Sequence, residues 1–255
     1  TRNIIQTRIS PIVENPGVIF TDNIWAFPQA TVQINARNNE EFDSLFNENS
    51  DRIVAYFLKA ERDRIAASYR ETNEITVYNT LKSKYDVQLH VPPGFRIAEE
   101  KQDFVWVRYE TPEISQAIMV YWFPYTSDST FTVSYLLAKR DSFLKANIPG
   151  PLEGSYMVTE HRIEPLFQIT QHNGNYSADI RGLWRVQNDY MGGPFIMLAE
   201  LDAYRKRVVV ADGYVYAPSK NKRNLIRQIE AMVYSMRFND QEQNDRLNKQ
   251  ARMGN

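Results

Sequence analysis

The chain has 255 residues, with 30 Lys plus Arg against 31 Asp plus Glu, and no cysteine. The even charge balance argues against a nucleic-acid backbone as main partner, which requires a concentrated positive field. The missing thiols exclude disulfide frameworks, thiolate zinc sites, iron–sulfur clusters and Cys nucleophiles. Hydrophobic residues make up 43% and charged residues 24%, a globular profile that needs no covalent staple at this length.

Residues 2–10 alternate weakly up to Ser10-Pro11 and predict a strand. Residues 17–36 predict a second strand region, interrupted near Phe27-Pro28, with a period of two in Thr31-Val32-Gln33-Ile34-Asn35. The period then lengthens. Asn38 or Asn39 is placed to cap a helix, with Glu40 and Glu41 favourable against its dipole. Phe42, Leu45, Phe46, Ile53, Val54, Phe57, Leu58 and Ile65 carry an apolar stripe to about Arg70. This is one long helix, or two with Ser50 as a second cap. A short helix over about Glu74–Lys84 follows, with Ile75, Tyr78 and Leu81 on one face.

Strand patterns dominate afterwards. Val87–Val91 alternates and stops at Pro92-Pro93-Gly94, Phe104–Tyr109 alternates, and Ala117–Phe123 is continuously apolar, as a central strand is. Helical spacing returns over 131–147 and ends at Pro149-Gly150-Pro151. Residues 155–171, 177–187, 195–202 and 207–217 predict an antiparallel meander, and Asn173-Gly174 is the strongest hairpin signal. A closing helix from Ser219, as its cap, to Met236 carries Leu225, Ile226, Ile229, Met232, Val233 and Met236 as a core stripe. The fold class is therefore α+β, with antiparallel sheet and packed helices. The expected division is 1–73, strands plus the long helix; 74–238, a larger α+β domain; and 239–255, a polar, frayed tail.

No apolar run approaches the roughly 18–20 residues that span a bilayer. The start at Thr1, without Met, reads as a mature fragment whose upstream part is missing, and any signal peptide or lipid anchor belongs to that part.

The segment from Gly182 to Phe195 is the most distinctive. It reads as a loop between two strands, because Gly192-Gly193-Pro194 demands an unusual backbone path. Trp184 and Tyr190 flank it and are the aromatics expected to be exposed. The candidate ligand-binding surface is therefore Trp184, Tyr190, Met191, Gly192, Gly193, Pro194 and Phe195. Lys222 and Arg223 are added as anion contacts at the start of the closing helix, where free N–H groups and cations converge. The plainer reading of those cations is a solvated helix face. With 15 Tyr, 13 Phe and 4 Trp, most aromatics read as core.

Catalytic patterns are sparse. His161, Glu164, His172 and Asp179 could meet across a hairpin as a metal or acid–base site, although a spacing of three puts His161 and Glu164 on opposite faces of a strand. Their plainer reading is exposed hairpin polarity. Nucleophile elbows and phosphate-cradling loops are absent, and neither a cofactor nor a metal is expected.

Arg2-Asn3-Ile4-Ile5, Gly182-Leu183-Trp184 with Met191-Gly192-Gly193-Pro194-Phe195, and Gly213-Tyr214-Val215-Tyr216-Ala217-Pro218 leading into Lys222-Arg223-Asn224-Leu225-Ile226-Arg227-Gln228 resemble domain-of-unknown-function family 4837. Residues 86–236 are also similar to the PsbP-type α/β/α sandwich. The first resemblance implies a Bacteroides-type envelope lipoprotein that touches the membrane only through an N-terminal lipid anchor. It supplies no catalytic residue. The expected function is a non-enzymatic envelope protein that binds a ligand or protein partner. Two alternatives stay open: a hydrolase acting on an envelope substrate, and a structural subunit of a lipoprotein assembly.

Overall fold

In the computed structural model residues 2–241 are described, and the remainder of the expected tail lies outside the described residues. Contacts divide the α+β chain into two units, Thr1–Ala67 and Ser68–Asn255.

In the first unit β1 (Asn3–Ile9), β2 (Gly17–Asp22) and β3 (Ala30–Ala36) form a sheet of order β1-β3-β2. β2 is antiparallel to β3, whereas β1 runs parallel to it, with Asn3 opposite Ala30 and Ile9 opposite Ala36. The helix α1 (Asn39–Glu71) is unbroken. Its start is a reciprocal cap: Asn38 Oδ1 accepts from Glu41 N at 2.8 Å, and Glu41 Oε2 accepts from Arg37 N at 2.6 Å. Ser50 donates its hydroxyl to Asn47 O at 3.1 Å and does not start a second helix. Val32, Ile34 and Ile53 are buried between helix and sheet, with Phe20, Phe42, Leu45 and Phe57 packed around them.

The second unit continues with α2 (Ile75–Tyr85), β4 (Val87–Gln88), β5 (Arg96–Glu100), β6 (Phe104–Glu110), β7 (Ser115–Pro124), α3 (Val133–Asn147), β8 (Met157–Thr159), β9 (Leu166–His172), β10 (Asn175–Val186), β11 (Gly192–Asp202), β12 (Arg207–Tyr216), α4 (Arg223–Val233) and β13 (Arg237–Phe238). The main antiparallel sheet has the order β5-β6-β7-β12-β11-β10, with β8 and β9 in tandem along the outer side of β10. Successive strand residues face opposite ways, and two cores result. Val209, Ala211, Ile196 and Leu198 pack with Val77 and Leu81 of α2 and Ile229, Met232 and Val233 of α4. Val208, Val210, Met197 and Ala199 pack with Leu136, Leu137 and Leu144 of α3. This is an α/β/α sandwich. At Gly213 an added Cβ would lie 2.2 Å from Ile229 Cγ2, so the absence of a side chain lets α4 sit on β12.

Three expected elements change. The closing helix starts at Arg223, because Ser219 is held at φ 60° in a turn and cannot cap a helix, and it ends at Val233, so Met236 lies beyond it. The 155–171 strand is broken, since residues 160–165 leave the sheet between β8 and β9. Asn239 is tied down where fraying is expected: its Nδ2 donates to Lys82 O at 2.9 Å, and its N donates to Asp86 O at 3.1 Å. Asn173 and Gly174 do form the β9–β10 turn, with φ of 49° and 82°.

Candidate functional site

The Gly-Gly-Pro segment is strand, not loop. The turn occupies the residues just before it, and Gly192, Gly193 and Pro194 open β11, opposite Arg185, Trp184 and Leu183. A Cβ on Gly193 would lie 2.1 Å from Val215 O, so this glycine permits a close backbone approach between β11 and β12. Pro194 precedes the first β11–β12 pair, Phe195 with Tyr214, where a missing N–H is tolerated.

Trp184 is buried, donates its indole N–H to Val215 O at 3.3 Å and meets Tyr214 edge-on. Phe195 is buried beneath the Arg140 guanidinium, 3.7 Å from the ring centroid. Met191 is half-buried against the same core. Trp184, Gly193 and Phe195 are thus packing residues, and they are withdrawn from any exposed ligand surface. Gly and Pro break most strands, which is why the segment reads as a loop. Here they pair with β10, and Gly193 meets a steric need that the close approach of Val215 on β12 creates. Tyr190 alone is fully exposed.

The anion site proposed at α4 is partly filled by the chain itself. Asn221 Oδ1 accepts from Arg223 N at 3.0 Å. Lys222 donates to Lys220 O at 3.2 Å, and Lys220 pairs with Glu113 at 2.5 Å.

The four candidate acid–base residues do not assemble. His161 Nε2 meets Asp141 Oδ2 of α3 at 2.6 Å. His172 Nδ1 meets Glu200 Oε2 at 2.8 Å, and its Nε2 donates to Tyr234 O at 2.9 Å. Asp179 accepts from Arg181 at 2.9 and 3.0 Å and from the Tyr234 hydroxyl. Glu164 is exposed. Among the described residues, no group of three or more His, Asp or Glu is placed to hold a metal ion.

His161 opens on a cleft of about 460 Å³ with Glu160, Arg162 and Arg185. Hydrogen bonds from Arg162 hold the Glu160 carboxyl down at about 2. A His–Asp pair orients an imidazole, but these four lining residues include no hydroxyl or thiol nucleophile. Asp141 was not among the sequence candidates, because its 20-residue separation from His161 leaves no local pattern.

The edge strand β9 is the most unusual surface in this unit. At the opposite edge β5 carries Arg96, Glu99 and Glu100, and its register slips between Ile97 and Glu99. Charges and bulges of this kind stop a sheet edge from pairing with another chain. β9 has neither device: Leu166-Phe167-Gln168-Ile169-Thr170-Gln171 has no charge and no proline. Leu166 is 72%, Phe167 37% and Ile169 40% exposed. Phe167 and Ile169 lie opposite Ile180 and Ala178, hence on the α3 face, as does Tyr176, which is 42% exposed. The outer side of β9 offers alternate N–H and C=O groups to an incoming strand. The uncharged run is visible in the sequence, but its edge position is not.

A family model described as Domain of unknown function (DUF4837) matches residues 74–235. The chain belongs to this family. The DUF4837 region contains the main sheet, the β9 edge and α4, while residues 1–70 match a second description, Domain of unknown function (DUF8532). No curated protein matches the chain.

Among solved structures, the DUF4837 protein is similar to a point mutant of protein Mog1, at 12% identity and a TM-score of 0.38 over 60% of this chain and 90% of that one. The Saccharomyces cerevisiae Ran-binding protein Mog1p gives 12% and 0.39 over 63% and 94%. The human StarD13 lipid transfer and protein localization domain gives 8% and 0.28 over 63% and 94%. Likenesses this distant assign this chain neither a partner nor a ligand.

Proposed function

We propose that this chain is a non-enzymatic binding protein of the cell envelope, and that it takes an extended segment of a protein partner by strand addition along β9. The observation that carries the reading is the contrast between the two sheet edges: β5 is charged and bulged, and β9 is uncharged, apolar and open. Main-chain hydrogen bonds supply affinity in this mode of recognition, and alternate side chains supply specificity. Phe167 and Ile169 would contact the partner on one face of the added strand, and Leu166 on the other.

Hydrogen exchange on the full chain tests the reading, with peptides selected by display for binding to it. Bound peptides should protect amides of Leu166–His172 and lose binding to Ile169→Lys, which places a charge on the edge. Protection confined to other segments would remove β9 from the function.

The envelope location and the lipid anchor rest on the family resemblance. Fractionation of producing cells, with lipid labelling of the full-length protein, checks both. An unlabelled protein in the soluble fraction would reject them.

A further inference from the structure

The loop joining β2 to β3, Asn23-Ile24-Trp25-Ala26-Phe27-Pro28-Gln29, has no charged residue. Its apolar side chains face outward: Ile24 is 37%, Trp25 59% and Phe27 87% exposed. Its polar groups are tied to one another. Asn23 N donates to Gln29 O at 2.9 Å, Gln29 N donates to Asn23 Oδ1 at 3.0 Å, and Trp25 N donates to Gln29 Oε1 at 3.0 Å. Gln29 itself is buried. A loop made for water shows the reverse arrangement, with polar groups outward.

We propose that this loop docks on a phospholipid bilayer, with Trp25 and Phe27 entering the interfacial region. Four features of the loop select a bilayer over a protein partner. Backbone groups entering an apolar medium must be satisfied internally. The N–H groups of Asn23, Trp25 and Gln29 are so satisfied and Pro28 has none, so the polar backbone left over is confined to Ile24, Ala26 and Phe27, shallow enough to stay at the hydrated headgroup level. The tip carries no charge whose desolvation would oppose entry. Three side chains fall short of the roughly 800 Å² per partner of a stable protein interface, whereas shallow insertion needs only a small apolar tip about 5–10 Å deep. Trp is also the side chain enriched at the headgroup level. At the base of the loop Arg2, which is exposed, accepts from Ala30 N at 2.9 Å through its carbonyl, so the loop's base carries a cationic residue available to lipid phosphate. The contact is direct and needs no lipid anchor.

Trp25 is the only exposed tryptophan of the four, since Trp106 and Trp122 are half-buried and Trp184 is buried. Its fluorescence therefore reports the tip. The full chain is mixed with vesicles of phosphatidylcholine, with and without phosphatidylglycerol, and followed by emission and flotation. A blue shift with reduced acrylamide quenching is expected on both vesicles, stronger on the anionic ones. Trp25→Phe should remove the shift and still float. Removing both aromatics, Trp25→Ser with Phe27→Ser, should weaken flotation by roughly a hundredfold, about tenfold for each side chain. These positions are exposed, so circular dichroism should show an unchanged fold. The proposal is overturned if wild type stays in solution at large lipid excess. It is equally overturned if the double variant floats as wild type does, or if binding needs only anionic lipid and Arg2.

Discussion

Arg140 of α3 and Asp212 of β12 form an ion pair of 2.8 Å with both side chains fully buried. The pair does not stand alone. Arg140 also donates to Thr159 Oγ1 at 2.8 Å, Thr159 donates to Asp141 at 2.7 Å, and Asp141 meets His161 at the surface. Burial pushes the Asp212 carboxyl upward, and the Arg140 charge opposes that push. Removing one partner strands a charge in the core, at a cost of about 3–5 kcal/mol. Asp212→Asn and Arg140→Met should each lose about that much in urea denaturation. The double variant Asp212→Leu with Arg140→Met should recover a large part of it, because no charge is left unpaired.

Gly193 and Tyr190 stand three residues apart and should behave in opposite ways. Gly193→Ala drives a methyl group into Val215 O and should lose at least about 2 kcal/mol, through separation of β11 from β12. Tyr190→Ala, at a fully exposed turn position, should stay within about 0.5 kcal/mol of wild type. Thermal unfolding of the two variants checks the pair.

His172 joins the end of β9 to Glu200 of β11 and to the C-terminal end of α4. In His172→Phe the buried Glu200 carboxylate keeps Asn175, at 2.6 Å, and loses the imidazole. A loss of about 2 kcal/mol is expected, the order of one charged hydrogen bond. Exchange of the β9 amides should accelerate more than that of β12, which lies in the sheet interior.

His90 gives the protein a pH dependence. Burial, followed by the charges of Arg70 and Arg237, lowers its pKa to about 4 from an ordinary value near 6.5. The folded state therefore holds His90 neutral where the unfolded chain is already protonated. This contribution is intact above about pH 6.5 and is lost progressively as pH falls towards about 4. Denaturation midpoints across that window should fall with pH in wild type and fall less in His90→Phe. Equal slopes in the two proteins would remove His90 as the cause.

What the sequence alone determines here is local. The Ile229, Met232 and Val233 stripe, the continuous apolar run Ala117–Phe123 and the Asn173-Gly174 turn each depend on spacing within a few residues, and each lies where periodicity puts it. The motif residues that carried the family resemblance were legible for the same reason. Tertiary structure alone decided which residues meet. Gly192-Gly193-Pro194 has loop composition, yet it pairs with Arg185, Trp184 and Leu183 of β10 as strand, and Val215 O occupies the space that a side chain at Gly193 would need. His161 found Asp141, and His172 found Glu200 and Tyr234, across separations that leave no trace in local spacing. The uncharged run Leu166–Gln171 and the apolar tip Ile24–Phe27 were both visible in composition. Hydrophobicity alone assigns such runs to the core. Only the long-range pairing order, which makes β9 the last strand on its side of the sheet, and the hydrogen bonds that tie Asn23 and Trp25 to Gln29 leave them facing out.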